Sequence, residues 1–209
     1  MEGKKRSIDV IIPRFVYISA AAFAGLIATL VVVSLAVANV VAPQGFESYA
    51  MAKPAATHRV IRQSQVDAFG GKVSVAFGID SQVATEFADW ILEASERQQL
   101  APELLASLVL TESSFRKYAR SNVGAVGPAQ VRPDYWGNFC GSNDLANPEE
   151  NIYCGAQILS HLLERCGGDQ ACALAAYNVG PYADRPQAAR RYVSKVDRYL
   201  ESLYAAASL

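Results

Sequence analysis

Residues 102–115 read Pro102-Glu103-Leu104-Leu105-Ala106-Ser107-Leu108-Val109-Leu110-Thr111-Glu112-Ser113-Ser114-Phe115. Proline followed by an acidic residue is a favourable helix start, because the missing N–H is one the first turn leaves unpaired anyway. Leu105, Leu108, Glu112 and Phe115 recur at intervals of three and four, so the spacing predicts a helix from Pro102 to Phe115 with one carboxylate on its apolar stripe. A carboxyl in low-dielectric surroundings has its charged form disfavoured and its pKa raised, as a general acid working near neutral pH requires. Glu112 is therefore the candidate proton donor. Periodicity alone leaves a second reading open, a carboxylate solvated at a fraying helix end.

Helical signals surround this segment. Before it, Val83, Phe87, Trp90, Ile91 and Leu92 fall near one face of a helix capped by Ser81 and ending by Leu100. After it, Asn147-Pro148-Glu149-Glu150 supplies a cap, an N1 proline and an acidic first turn for a helix running to about Arg165, before Gly167-Gly168. Asp169 to Val179 and Pro186 to Tyr204 read as two more, the last with Val193, Val196, Leu200 and Leu203 at helical spacing. Strong strand signals are missing, and long loops are expected between Arg116 and Asn147. The reading is an all-α domain over residues 81–209. Residues 43–80 carry scattered Pro, Gly and Gln without sustained period, and read as a juxtamembrane spacer with a short strand at Lys72 to Phe77.

Composition places this domain. Of 209 residues, 51% are hydrophobic and 19% charged, which excludes disorder as a description of the whole chain. No Asp, Glu, Lys, Arg or His occurs from Phe15 through Pro43. Residues 15–42 as a helix reach roughly 40 Å, enough to span a bilayer core of ~30 Å with tilt. Lys4, Lys5, Arg6 and Arg14 precede the run, so residues 1–14 read as a cytoplasmic basic tail and the rest as exported. A cleaved signal peptide competes, since Ala36-Val37-Ala38 fits a cleavage site, but signal cores run only about 7–15 residues. The formal charge is -1 overall and the tail carries an excess of basic residues, so the exported part is acidic and no nucleic-acid partner is expected.

Cys140, Cys154, Cys166 and Cys172 all lie in the exported part, as suits disulfides. Cys154 and Cys166 sit about 18 Å apart along one expected helix, too far to bond. An antiparallel helix from Asp169 brings Cys172 beside Cys166, so the expected pairs are Cys140 with Cys154 and Cys166 with Cys172. Zinc is disfavoured, because no C-x-x-C occurs and His58 and His161 are the only histidines.

Ser121, Gly124, Gly127 and Gln130 occupy an aperiodic stretch in which glycines permit tight backbone and Gln130 offers donors and an acceptor. Tyr177-Asn178-Val179-Gly180-Pro181 sets an aromatic and an amide at a helix end, and Tyr192 lies on the last helix. Aromatic faces and amides are sugar-binding groups. Each residue also has a plain structural reading: core for Tyr177 and Tyr192, a C-cap for Asn178, surface for Gln130.

In this order the segments resemble the lytic transglycosylases of the soluble-lytic-transglycosylase type, which share the goose-type-lysozyme-like fold. Glu112-Ser113-Ser114-Phe115 is similar to that family's E-S-x-F, Ser121-Asn122-Val123-Gly124-Ala125 to S-x-x-G-A, and Gly127-Pro128-Ala129-Gln130 to G-L-M-Q. Asn151-Ile152-Tyr153-Cys154-Gly155 is similar to the N-I-x-x-G that opens a structural helix, Ala176-Tyr177-Asn178-Val179-Gly180-Pro181 to A-Y-N-x-G-P, and Tyr192-Val193 to the closing Y-V. The sequence departs from the pattern at Pro128 and Ala129, and at Arg132, where an apolar residue is common; Pro128 has no N–H to donate.

The resemblance implies a lysozyme-like domain that cuts peptidoglycan glycan strands between N-acetylmuramic acid and N-acetylglucosamine and leaves a 1,6-anhydro end. It makes Glu112 the single acid and base, with Ser121, Gln130, Tyr177, Asn178 and Tyr192 positioning the sugars, and it calls for no metal or cofactor. Two other readings stay open: a hydrolytic muramidase with Asp134 or Asp144 as base, and a non-catalytic wall-binding or structural membrane protein. The expected place is the inner membrane, single-pass through residues 15–42 with the domain in the periplasm, or an internal virion membrane if a phage encodes it. A larger wall-spanning or virion assembly is a compatible partner. A reporter fused after Leu209 in cells should report an extracytoplasmic carboxyl end; a cytoplasmic signal would refute the orientation.

Overall fold

The computed structural model describes residues 54–141, 144–180 and 184–206. The basic tail and the apolar run at 15–42 lie outside these residues. No helix among the described residues is long and apolar enough to cross a membrane. The helices are α1 (Pro54–Phe77), α2 (Ser81–Gln98), α3 (Pro102–Ser113), α4 (Pro133–Cys140), α5 (Pro148–Arg165), α6 (Gln170–Val179) and α7 (Pro186–Ala206).

α3 is the central helix. Every residue from Leu104 to Leu110 is buried, and Ser113 with them. Leu105, Ala106, Val109 and Leu110 enter one core with Phe69 and Val73 of α1 and Phe87 and Ile91 of α2. Leu104 and Leu108 enter a second with Ile158, Leu159 and Leu162 of α5, Leu174 of α6 and Val196 of α7. A helix apolar all round is a buried helix, so the expected single stripe is only part of its interface. The helix also stops at Ser113 instead of Phe115. Ser114 and Phe115 take left-handed φ values of 53° and 59°, a turn that costs on the order of 1–3 kcal/mol per residue. That turn drives the Phe115 ring between Phe77 and Phe87, with centroids 6.1 and 5.1 Å away.

The caps explain the other boundaries. Asp80, not Ser81, caps α2, its carboxylate accepting from the N–H groups of Gln82 and Val83 at 3.0 and 3.2 Å. Asn147 caps α5 by accepting from Glu149 and Glu150, and Asp169 caps α6 by accepting from Cys172.

Two expectations are overturned. Residues 54–77 are helix α1, not spacer and strand. The alternation of Val73, Val75 and Phe77 imitates a strand, but Val66, Phe69 and Val73 recur at helical spacing and are the buried ones, while Val75 is 72% exposed. Gly70 obscures the pattern, because it is there for close approach: a Cβ on it would lie 2.8 Å from Thr85 Cα of α2. The stretch from Arg116 to Asn147 is likewise not all loop. It holds α4, together with antiparallel bridges pairing Val126 with Arg120 and with Val131.

No α4 residue is buried. The helix is held instead by a ring cluster of Trp136 and Phe139 against His161 of α5, and by the Cys140–Cys154 disulfide. Cys166 bonds Cys172. Both pairs are the expected ones, and closing loops of 14 and 6 residues they stabilise mainly by restricting the unfolded chain.

Adjacent glycines of α1 separate packing from helix propensity. Gly70→Ala should lose about 1–3 kcal/mol by overpacking against Thr85, more than the ~1 kcal/mol of propensity it gains. Gly71, whose Cβ would meet nothing within 4 Å, should gain up to ~1 kcal/mol as Ala. Urea unfolding of the two variants checks the opposite signs.

Candidate active site

The last turn of α3 opens into a cleft of about 250 Å³. Its walls come from Glu112 on α3, Ser121, Gln130 and Arg132 on the loop, Trp136 on α4, Ile158 on α5, and Tyr177 and Asn178 on α6. Of the expected site residues, Glu112, Ser121, Gln130, Tyr177 and Asn178 meet there. Tyr192 does not line the cleft. It is buried at 8% exposure on α7, and its hydroxyl donates to Glu112 Oε1 at 2.5 Å. Its place is behind the acid.

Burial is the largest influence on Glu112 and pushes its carboxyl up from 4.5 to about 7, against the lowering effects of the Tyr192 hydrogen bond and the Lys195 charge. Lys195 is placed by α7, with its ammonium 3.4 Å from the Thr111 carbonyl. Burial and the nearby Glu112 charge raise both Tyr177 and Tyr192 well above the ordinary phenol value, so both remain neutral donors. Among the described residues, Glu112 is the one carboxylate lining the cleft; Asp134 and Asp144 are exposed and lie outside it.

The loop is built from within. Ser121 Oγ accepts from the N–H of Ala125 at 2.9 Å and of Val123 at 3.3 Å, while its own N–H donates to the Ala125 carbonyl. Gln130 adopts φ 49° and donates Nε2 to the Gly127 carbonyl. In this geometry Ser121 and Gln130 shape the wall they line.

Motif reading treated Asn151 and Gly155 only as helix-opening residues, yet they seat this loop on α5. Asn151 is fully buried; its Oδ1 accepts from Ala129 N–H at 2.8 Å and its Nδ2 donates to the carbonyls of Val126 and Leu145. A Cβ on Gly127, at φ +73°, would fall 2.3 Å from Asn151 Cγ, and one on Gly155 would fall 2.5 Å from Ala129 Cβ. Tyr177 completes the clamp by donating its hydroxyl to the Ala129 carbonyl at 2.9 Å. The spacing of four between Asn151 and Gly155, one face of one helix, was the available signal. Trp136 carried none, because α4 itself was not foreseen, and Ile158 reads in the sequence as an ordinary apolar residue of α5.

A larger cavity of about 430 Å³ lies beside the Cys140–Cys154 bond, lined by Glu93, Arg97, Glu149 and Tyr153. Its groups satisfy one another: Tyr153 bonds Glu149 at 3.2 Å, and the Arg97 guanidinium covers the Tyr153 ring.

A buried central helix ending in a desolvated carboxyl, with glycine-dependent loops and an aromatic-amide helix end around it, is a lysozyme-like arrangement of helices around one cleft. The chain belongs to the Transglycosylase SLT domain family, which it matches over residues 89–200. It is 34% identical over 122 residues to a protein named Transglycosylase from Enterobacteria phage PRD1. That match covers 58% of this chain and 45% of the phage protein, so the chain spans less than half the length of that curated relative. It is also similar to the lytic transglycosylase Slt of Pseudomonas aeruginosa, solved as an inactive mutant, at a TM-score of 0.49 and 24% identity, covering 56% of this chain and 24% of that one.

The raised carboxyl carries a stability signature. Between pH 4.5 and 7 the folded chain holds a proton at Glu112 that the unfolded chain releases, so this group's contribution falls as pH rises through that window and is fully unfavourable above it. The stability of Glu112→Gln relative to wild type should therefore improve by up to about 3 kcal/mol on going from below pH 4 to above pH 8. Denaturant titrations across that range check it; a difference independent of pH would contradict the desolvation.

Proposed function

We propose that this chain is a membrane-anchored peptidoglycan lytic transglycosylase, cutting the β-1,4 bond between N-acetylmuramic acid and N-acetylglucosamine with Glu112 as both acid and base. The observation that carries the reading is that Glu112, at the buried end of α3, is the one carboxyl lining the cleft among the described residues, and burial raises its pKa to about 7. Near neutral pH such a group is populated both as acid and as base, the condition for donating and later accepting one proton.

The protonated Glu112 carboxyl donates to the glycosidic oxygen, and the C1–O bond breaks as the N-acetylglucosamine 4-hydroxyl leaves. The substrate's own N-acetyl oxygen stabilises the anomeric carbon, the task a second carboxylate performs in two-carboxylate glycosidases. The Glu112 carboxylate then takes the proton of the muramic 6-hydroxyl, whose oxygen bonds C1 and closes the 1,6-anhydro ring. No water is consumed and Glu112 ends protonated, as it began. Tyr192 holds the carboxyl in place from behind, while Ser121, Gln130, Tyr177 and Asn178 orient the sugars. The absence of a second carboxylate among the described lining residues favours this route over hydrolysis.

Residues 15–42 would hold the domain on the outer face of the inner membrane, or of a virion's internal membrane, with the catalytic domain facing the wall. The basic residues before the apolar run support that orientation.

Incubating the purified chain with peptidoglycan and weighing the released muropeptides tests the chemistry. Anhydro-muramic products, one water lighter than hydrolysed ones, are expected. Glu112→Gln should slow release by at least the ~100- to 10,000-fold typical of general acid-base catalysis, while glycan binding persists. Reducing ends would instead establish hydrolysis, and full activity of the variant would remove Glu112 from the mechanism.

A further inference from the structure

The cleft contains a cation that this acid-base cycle does not use. Arg132 ends the loop, occupies the N-cap position of α4 without a side-chain capping bond, and lines the cleft that Glu112 opens into. Its guanidinium lies over the Tyr135 ring, 4.2 Å from the centroid. Its Nε is buried with no hydrogen-bond partner, and among the described residues it joins no salt bridge.

This is a poor way to fill space. A guanidinium carries five donors, no acceptor and a permanent charge, and leaving a buried donor unpaired costs stability. A methionine would pack against Tyr135 without that penalty. The cation acting on the Glu112 carboxyl is Lys195, not Arg132. A positive fork stacked on an aromatic ring at the cleft wall, with no carboxylate paired to it among the described residues, is suited to an anion arriving with the substrate, and for a carboxylate the match is bidentate.

We propose that Arg132 binds a carboxylate carried by the muramyl residues of the glycan strand and so selects which strands the cleft accepts. The inference rests on the glycan-cleaving reading above. The carboxylate has two sources, the lactyl group of a peptide-free muramyl residue or the stem peptide of a substituted one. In the second the lactyl carboxyl is consumed as an amide, so the charge lies farther from the ring.

The test is calorimetric titration of the full chain carrying Glu112→Gln, which blocks turnover, with peptide-free and peptide-bearing glycan oligomers, each also in a form whose carboxylates are converted to carboxamides. The Arg132-containing chain should bind a charged oligomer about tenfold or more tighter than its carboxamide form. Arg132→Met should abolish that preference by losing more affinity for the charged form than for the carboxamide form, and Arg132→Lys should restore part of it. A contrast confined to peptide-free oligomers assigns the lactyl carboxylate; one confined to peptide-bearing oligomers assigns the stem. Equal affinity for charged and carboxamide forms by the Arg132-containing chain overturns the proposal without reference to any Arg132 variant, as does an equal loss on both forms in Arg132→Met. A charge preference retained in a wild-type chain that releases no anhydro product would overturn the lytic reading alone.

Discussion

The burial of α3 on every side is the constraint from which the rest follows. A helix with Leu104 to Leu110 wholly enclosed must be covered by α1 and α2 on one side and by α5, α6 and α7 on the other. Its last turn cannot leave that environment abruptly. Glu112 therefore emerges with its carboxyl still desolvated, two residues before a strained left-handed turn that buries Phe115 and ends the helix. The penalty of burying the ionised carboxylate is what raises the pKa toward neutrality. Stability is given up at the one carboxyl that, among the described residues, lines the cleft.

The raised value is a balance. The Tyr192 hydrogen bond and the Lys195 charge both favour the ionised form and oppose desolvation without overcoming it. A stronger cation beside Glu112 would return it to an ordinary carboxylate, unable to serve as an acid near pH 7. Lys195 acts from a position where its ammonium also meets the Thr111 carbonyl and lies 5.8 Å from the Tyr199 ring centroid. Tyr192 contributes orientation, since its own burial keeps it neutral and a neutral phenol can only donate to the carboxylate.

Opposite the acid, the cleft wall depends on one face of α5. Asn151 commits its amide to three backbone groups, those of Val126 and Ala129 in the loop before α4 and that of Leu145 in the connection after it, and Gly155, one turn on, makes room for Ala129. Pro128 fits this arrangement. The N–H that Asn151 captures belongs to Ala129, the next residue, so the missing proline donor costs nothing at that bond. The same loop delivers Gln130 and Arg132 to the cleft, so a buried amide on a structural helix sets the position of two side chains that line it.

Several features are determined by the sequence alone because they rest on local chemistry. Asn147-Pro148 and Asp169 start α5 and α6 through side-chain caps, and the separation of Cys154 from Cys166 along one helix rules out their pairing whatever the packing. The resemblance of its short motifs to a known family likewise marks Glu112, Ser121, Gln130, Tyr177 and Asn178, each of which lines the cleft. Other features belong to tertiary structure. α1 is masked by Gly70, whose value lies in contact with Thr85 of another helix. α4 buries no residue of its own and is held by rings and a disulfide from α5. The hydrogen bond from Tyr192 to Glu112 and the partial burial of Glu112 arise only when segments distant in the chain meet. Capping and spacing act within a few residues, whereas desolvation and close approach are properties of what packs alongside, and periodicity along one strand of sequence carries no record of that neighbour.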